Sequence, residues 1–312
     1  MMKLIPLERH TTQTLLGIRF WDRVTNRVVA DGLQVKAQRL SDDRAQRLGN
    51  PILGQMTPSG AITFFGLSTG EIPAAGSTQQ FWESVPSNQL VAIDLVDRLE
   101  RFLPMSFVAR LPFRGVFRGQ GDWLGTSLFR PELGNNAAIG VQLWSAPTRP
   151  VLPGQAVVRA QLVIGAGDTP IPAAYALVRV QPLSALPASG FDYYGMTDRR
   201  GMLLLPMPYP AIPDPATPET PYSSLDRQMF PLRVTIQYDT SPIVWPNSSV
   251  PDLERLLNQA QAQIAINHTS DPNAPLQFQP NLSVNLQFGR PLILRTALSA
   301  TQVESVLRIQ PR

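Results

Sequence analysis

The sequence predicts a mainly all-β chain folded as two antiparallel β-sandwiches with a few short helices. Three observations carry this expectation. Several segments alternate with a period of two: Leu33, Val35 and Ala37 against Gln34, Lys36 and Gln38, and Leu232, Val234 and Ile236 further on. That is the pattern of a strand with one buried and one wet face. The chain also carries 31 prolines in 312 residues, about twice the usual share. They are scattered, which excludes collagen and favours many loops and interrupted strand edges. Finally, the strand signals fall into two sets, and the length suffices for two domains with cores of their own.

In the first set, strands are expected at 15–21 and 32–39, separated by the polar turn 22–27. Ser41 then stands where it would cap a short helix through Arg47, with Asp42 and Asp43 as first-turn acids. A strand at 61–67 follows the turn Thr57-Pro58-Ser59-Gly60. Ser77 and Gln80 have capping-box spacing ahead of a helical turn near 81–85, and strands follow at 90–97 and 106–111. The stretch 113–140 is rich in Gly, Asn and aromatics and reads as a connection.

The second set predicts strands at 139–145, 156–164, 174–181 and 202–205. Seven prolines between Pro206 and Pro221 then interrupt the pattern. Such a segment, 206–222, should run as extended polyproline-like chain and become ordered only in an assembly. A strand resumes at 231–238. Pro251 suits a first helical turn, and Leu253, Leu256, Leu257, Ala260 and Ile264 share one helical face, so a helix is expected near 252–264. The last strands are expected at 282–288, 292–296 and 305–310. The domains are thus 1–136, with the connection beginning at about 113, and 137–312.

A weak internal repeat relates the two. Val28-Val29-Ala30-Asp31-Gly32-Leu33-Gln34-Val35 precedes Met56-Thr57-Pro58-Ser59-Gly60 and an apolar strand. Ile171-Pro172-Ala173-Ala174-Tyr175-Ala176-Leu177-Val178 precedes Met196-Thr197-Asp198-Arg199-Arg200-Gly201 and another. Each reads strand, excursion, Thr-containing turn ending in Gly, strand.

Composition narrows the chemistry. The absence of cysteine excludes disulfides, zinc–thiolate sites and thiol nucleophiles. His10 and His268 are the only histidines, too far apart for a metal signature. His268 reads as a loop residue, since no nucleophile elbow accompanies it. No phosphate-binding loop, dinucleotide fingerprint or calcium loop occurs. These readings predict no enzyme, no catalytic or metal site and no cofactor. The N-terminal apolar stretch is too short for a signal-peptide core, and no run approaches a membrane span. A cytoplasmic product without a transmembrane segment is expected.

The net charge of +4 is too small to dominate binding to a polyanion. Lys occurs only at Lys3 and Lys36, so 25 of the 27 basic residues are arginine. Interfaces favour Arg over Lys; genomic composition would give the same bias. The best candidate interface is Arg110, Arg114, Arg118 and Arg130 interleaved with Phe113, Phe117, Trp123 and Phe129. Such residues anchor protein contacts and also stack single-stranded bases. Absent lysines, with Asp122 and Glu132 diluting the charge, favour protein over nucleic acid. A linker packed on its own domains is the plain alternative.

The segment 20–38 resembles the opening of carboxypeptidase-regulatory-like, or transthyretin-like, Ig-like β-sandwich domains. Thr57-Pro58-Ser59-Gly60-Ala61-Ile62-Thr63-Phe64 matches a later piece of the same pattern. The segment 139–162, with Trp144-Ser145-Ala146-Pro147-Thr148-Arg149-Pro150, is similar to proteins of phage-tail-like contractile injection gene clusters. So is Phe288-Gly289-Arg290-Pro291-Leu292-Ile293-Leu294-Arg295. The resemblance implies structural roles and brings no catalytic residues. The expected role is a baseplate- or spike-associated component whose partners are other subunits, with homo-oligomerisation as a further option. The alternative is a carbohydrate-binding or adhesive module, for which Trp21, Trp82, Trp123, Trp144 and Trp245 are available, although four of them stand in apolar strand-like or helix-like contexts that are more often core.

Overall fold

The computed structural model describes residues 14–44, 46–67, 89–111, 116–117, 140–165, 170–183, 192–210, 228–241, 243–244, 250–266, 276–297 and 303–311. Among them the protein is mostly β, arranged in antiparallel sheets with some parallel pairing. Contacts divide the chain into two units. One is Met1–Trp21, Arg27–Leu95 and Phe107–Gln142; the other is Asp22–Asn26, Val96–Ser106 and Leu143–Arg312.

The first set of strands is β1 (Gly17–Ile18), β2 (Phe20–Asp22), β3 (Arg27–Val29), β4 (Leu33–Leu40), β5 (Arg47–Leu53), β6 (Gln55–Met56), β7 (Ile62–Thr63), β8 (Gln89–Asp97), β9 (Met105–Leu111), β10 (Val116–Phe117) and β11 (Val141–Gln142). One sheet runs β5-β4-β8-β9; the others run β10-β1-β7-β6 and β11-β2-β3. Val35 and Ala37 on β4 are buried as their alternation predicts, and Lys36 between them is exposed. Phe20 on β2 meets Phe107 on β9 edge to face, with ring centroids 6.4 Å apart, so the layers close on an aromatic pair.

The second set is β12 (Gln155–Ile164), β13 (Ile171–Pro172), β14 (Leu177–Pro182), β15 (Tyr193–Met196), β16 (Met202–Pro208), β17 (Met229–Gln237), the helix α1 (Leu253–Leu257), β18 (Gln263–Ile266), β19 (Gln277–Gln279), β20 (Leu282–Gln287), β21 (Leu292–Leu294) and β22 (Leu307–Gln310). One sheet runs β15-β14-β17-β20. In the other, β12 is central: antiparallel to β16 and β13, parallel to β21 and β22. Val158, Leu162, Val178, Leu205, Val234 and Ile309 join one buried core between these layers.

The weak sequence repeat is a structural one. The sheets β5-β4-β8-β9 and β15-β14-β17-β20 have the same order. Ile18 pairs with Ile62 on β7 and Phe117 on β10; Ala160 on β12 pairs with Leu203 on β16 and Leu294 on β21. Phe20 pairs with Val141, and Leu162 with Leu307, again in parallel. One topology is therefore built twice, with a single strand, β12, where the first copy has β1 and β2. Gly32 and Tyr175, at matching places ahead of β4 and β14, both have positive φ, 71° and 60°.

The turns match in their hydrogen bonds, with a one-residue shift from the sequence alignment. The Thr57 N–H donates to Ala61 O at 2.8 Å, Gly60 N–H to Thr57 O at 3.0 Å, and Ala61 N–H to Thr57 Oγ1 at 3.2 Å. Asp198, not Thr197, occupies this place in the second copy. Its N–H donates to Met202 O at 2.9 Å, Gly201 N–H to Asp198 O at 3.0 Å, and Met202 N–H to Asp198 Oδ1 at 2.9 Å. Thr197 is instead buried; its hydroxyl donates to Ala173 O at 2.7 Å and accepts the Ala176 N–H at 2.8 Å.

Several expectations are corrected. The helix near 252–264 stops after five residues at Asn258. Beyond it Gln261, Gln263, Ala262 and Ile264 alternate, and β18 pairs with β19 and β22. Here tertiary pairing overrides the helical spacing of the leucines. The short helix after Ser41 is a hairpin turn: Ser41 N–H donates to Gln46 O at 2.9 Å, and Arg44 takes a positive φ of 58°. The strand expected at 61–67 is only β7. Pro206 and Pro208, expected in polyproline-like chain outside any sheet interior, lie in β16. Among described residues β16 pairs only with β12, and an edge strand leaves one side of its backbone without need of donors. Residues 211–222 of the proline segment and the helical turn near 81–85 lie outside the described residues.

The shared turn gives a graded test. Gly201 has φ of 75°, and a Cβ there would lie 2.3 Å from Leu162 O. Gly60 has the same φ, but its added Cβ would meet only the Val28 side chain, at 3.3 Å. Gly201→Ala should lower the unfolding free energy in urea by about 2 kcal/mol or more, and Gly60→Ala by only about 1 kcal/mol.

Candidate functional site

Of the candidate interface residues, Arg110 is exposed near the end of β9. Phe117 is the second residue of β10, and its backbone pairs with Ile18. The connection expected from 113 to 140 is thus part of a sheet at Val116 and Phe117, where β1 needs a partner on its second side. Phe113, Arg114, Arg118, Trp123, Phe129 and Arg130 lie outside the described residues, as do His10 and His268. Among the described residues no group of three or more His, Cys, Asp or Glu is placed to hold a metal ion. No described helix is long and apolar enough to cross a membrane.

The most elaborate polar constellation belongs to the second unit. Asp22, at the end of β2, is buried and opens a turn. Its Oδ1 accepts the Val24 N–H at 3.1 Å and its Oδ2 the Thr25 hydroxyl at 2.6 Å. Arg149 completes the carboxylate with two bonds, Nη1 to Oδ1 at 3.0 Å and Nη2 to Oδ2 at 2.6 Å. The two side chains are only 9% and 3% exposed. Arg149 Nη1 also donates to Ser145 Oγ at 2.9 Å, and its guanidinium lies 4.8 Å from the Phe102 ring centroid.

Phe102 carries a second guanidinium. Arg101 lies 5.4 Å from the same ring centroid and bonds Asp97, whose side chain is fully buried. Asp97 Oδ2 accepts the Arg101 Nε–H at 3.0 Å and backbone N–H at 2.9 Å. Two cations thus share one ring, each neutralised by its own buried carboxylate. Lys could not serve here, since it offers neither a planar face for the ring nor a two-pronged fork for the carboxylate. The backbone closes the arrangement: Leu103 N–H donates to Trp144 O at 2.8 Å, and Ala146 N–H to Arg101 O at 2.9 Å.

Sequence reasoning missed this site because Asp22 and Arg149 are 127 residues apart. The only available signal was the segment from Trp144 to Pro150, singled out by resemblance. The second such segment also has a structural role. Gly289, at φ of 73°, turns the chain from β20 to β21, and its N–H donates to Tyr209 Oη at 2.8 Å. Tyr209 packs against Phe288 with ring centroids 4.5 Å apart. Chemically, the site locks chain segments together.

Tyr193 on β15 lies under the Arg23 guanidinium, 5.7 Å from ring centroid to Cζ. Burial pushes its phenol above the usual range, with Arg23 opposing. Burial raises Tyr175 and Tyr238 too. Trp21 and Trp144, two of the aromatics a glycan site would need exposed, are buried at 5% and 1% exposure. Trp82, Trp123 and Trp245 lie outside the described residues.

No family model matches the chain, and no curated protein matches it. Among solved structures it aligns with the crystal structure of GBS52, the minor pilin in the gram-positive pathogen Streptococcus agalactiae. The identity is 7%, the coverage 95% of this chain and 96% of that one, and the TM-score 0.22. A score that low carries no argument about fold or function. The resemblances to carboxypeptidase-regulatory-like domains and injection-system proteins therefore rest on the quoted residues alone.

Removing Arg149 strands a buried carboxylate. Arg149→Met should cost about 3–5 kcal/mol in urea unfolding, and adding Asp22→Asn should recover much of the loss. A double variant as unstable as the single one would show that packing, not charge pairing, dominates. The tyrosines set an alkaline limit. A raised phenol pKa means the folded state holds its proton more tightly, so stability is intact below the ordinary value of 10.0 and falls as pH rises through the higher folded value. Tyr193→Phe should flatten that alkaline loss in a pH series of unfolding curves.

Proposed function

We propose that this protein is a non-enzymatic structural component of a multiprotein assembly. The observation that carries the reading is the duplication: one sandwich topology is built twice, with the same sheet order and the same parallel pairing of first and last strands. A repeated rigid module suits a spacer or scaffold, and the best-organised polar groups, around Arg149 and Asp97, are spent on holding segments together. On this reading the partners are other protein subunits, with homo-oligomerisation open to the same surfaces. The finer reading is a baseplate- or spike-associated part of a phage-tail-like contractile injection particle, assembled in the cytoplasm. It is supported by the two resembling segments, whose residues form the Arg149 lock and the turn from β20 to β21.

Affinity capture of the tagged full chain from its own cells tests both levels. Recovery of sheath, tube or baseplate proteins is expected, with little change between low and high salt, because a net charge of +4 contributes little steering. Arg110→Ala should weaken capture if the exposed end of β9 belongs to the interface. Recovery of no subunit overturns the structural reading. Oligonucleotide binding that falls steeply with salt would replace it with a nucleic-acid role.

A further inference from the structure

We propose that both sandwiches are built to bear tension along the chain. The observation is the direction in which the first and last strands of each copy pair. In the first copy Gly17 and Ile18 pair in parallel with Val116 and Phe117, and Phe20 and Trp21 in parallel with Val141 and Gln142. In the second, 158–160 of β12 pair in parallel with 292–294 of β21, and 162–164 with 307–309 of β22. In a parallel pair, the beginning of one strand and the end of the other lie at opposite ends of the ladder. Tension that pulls the chain ahead of β12 one way and the chain after β22 the other therefore slides the two strands past each other. All the hydrogen bonds between them are loaded together. An antiparallel pair pulled from its open end instead breaks one bond at a time.

The surroundings of these ladders suit that load. Ala160 faces Leu294 and Leu162 faces Leu307, all four buried, so at these pairs water cannot readily replace a stretched bond, although Arg159 and Ile293 between β12 and β21 are exposed. The far end of β12 is fastened to β22. Gly165 N–H donates to Ile309 O at 3.1 Å, and Arg308 Nη1 donates to Gly165 O at 3.0 Å. Arg308 is itself held by Glu304, Nε to Oε2 at 2.7 Å and Nη2 to Oε1 at 2.8 Å. In the first copy Val141 N–H donates to Arg19 O at 2.7 Å, and a Cβ on Gly140 would meet that oxygen at 2.6 Å. That close approach keeps β2 and β11 in register. The described parallel ladders of the second copy are longer, so it should be the stronger of the two. This load-bearing role goes beyond the assembly reading, since it requires only that something pulls on the chain.

Single-molecule force spectroscopy on the full chain tests it. Tags at the two ends apply tension along the chain. For comparison, thiol-coupled handles at Met229→Cys and Arg290→Cys open β17 and β20 from the end where Met229 faces Gln287. The chain has no native cysteine to compete for these handles. End-to-end pulling should unfold the second copy at a force several-fold higher than peeling does, with a weaker event from the first copy. If urea unfolding shows that the cysteine pair destabilises the fold, Lys36→Cys with Leu53→Cys peels β4 from β5 in the first copy instead, where the two residues face each other. End-to-end forces equal to or below the peeling force overturn the proposal. Failed capture of subunits with a high end-to-end force removes the assembly reading and leaves this one standing.

Discussion

A buried strand must find backbone partners on both sides, and β12 is where this constraint shapes the second sandwich. Its N–H and C=O groups lie among Ala156, Val158, Ala160 and Leu162, all buried, so each unpaired group would carry a desolvation cost. Antiparallel β16 and β13 serve one side; the other is served only when the chain returns with β21 and β22. Much of the connectivity follows from that closure. The chain crosses to the second sheet and comes back, and its last strands run parallel to its first. The first copy meets the same requirement with β1 and β2 against β10 and β11. Pairings this distant in sequence make folding intrinsically slow.

The arginine excess acquires a second meaning in this frame. Read from composition, it suggests an interaction surface. In the structure, Arg149, Arg101, Arg47 and Arg308 are engaged by Asp22, Asp97, Asp94 and Glu304. For Arg47, hydrogen bonding to Asp94 is the main cause that raises the guanidinium further above its already high pKa, against the opposing effect of burial. Each of these arginines uses the planar fork that Lys lacks. Part of the Arg preference therefore belongs to the fold itself, while Arg110 remains exposed and available to a partner.

Long strands were legible wherever burial imposed a pattern. Alternation marks β4 and β17, and nearly continuous apolar runs mark β8, β9 and β12. The strands expected at 15–21 and 139–145 are present as β1, β2 and β11, but β10 was not legible, because two residues have no period to read. Gly49 and Pro51 hid β5. The leucines of α1 overstated a helix because Leu253, Leu256 and Leu257 are helical while Ile264 is buried from a strand. The repeat was legible in outline, but its turn register was not. Thr197 looks like the counterpart of Thr57, yet Asp198 makes the equivalent bonds. The Asp22–Arg149 lock left no local trace, since each partner is an ordinary loop residue until the fold brings them together.

Native-state hydrogen exchange tests the central claim, that parallel pairing of first and last strands holds each sandwich together. The bonded amides of β12, β21 and β22 should exchange only with global unfolding, sharing its free energy and its dependence on urea. Those of the hairpin β4–β5, at an exposed edge, should open at lower cost. If β21 and β22 instead exchange by local opening while β14 and β17 stay protected, the terminal strands are an accessory to the fold and not its closure.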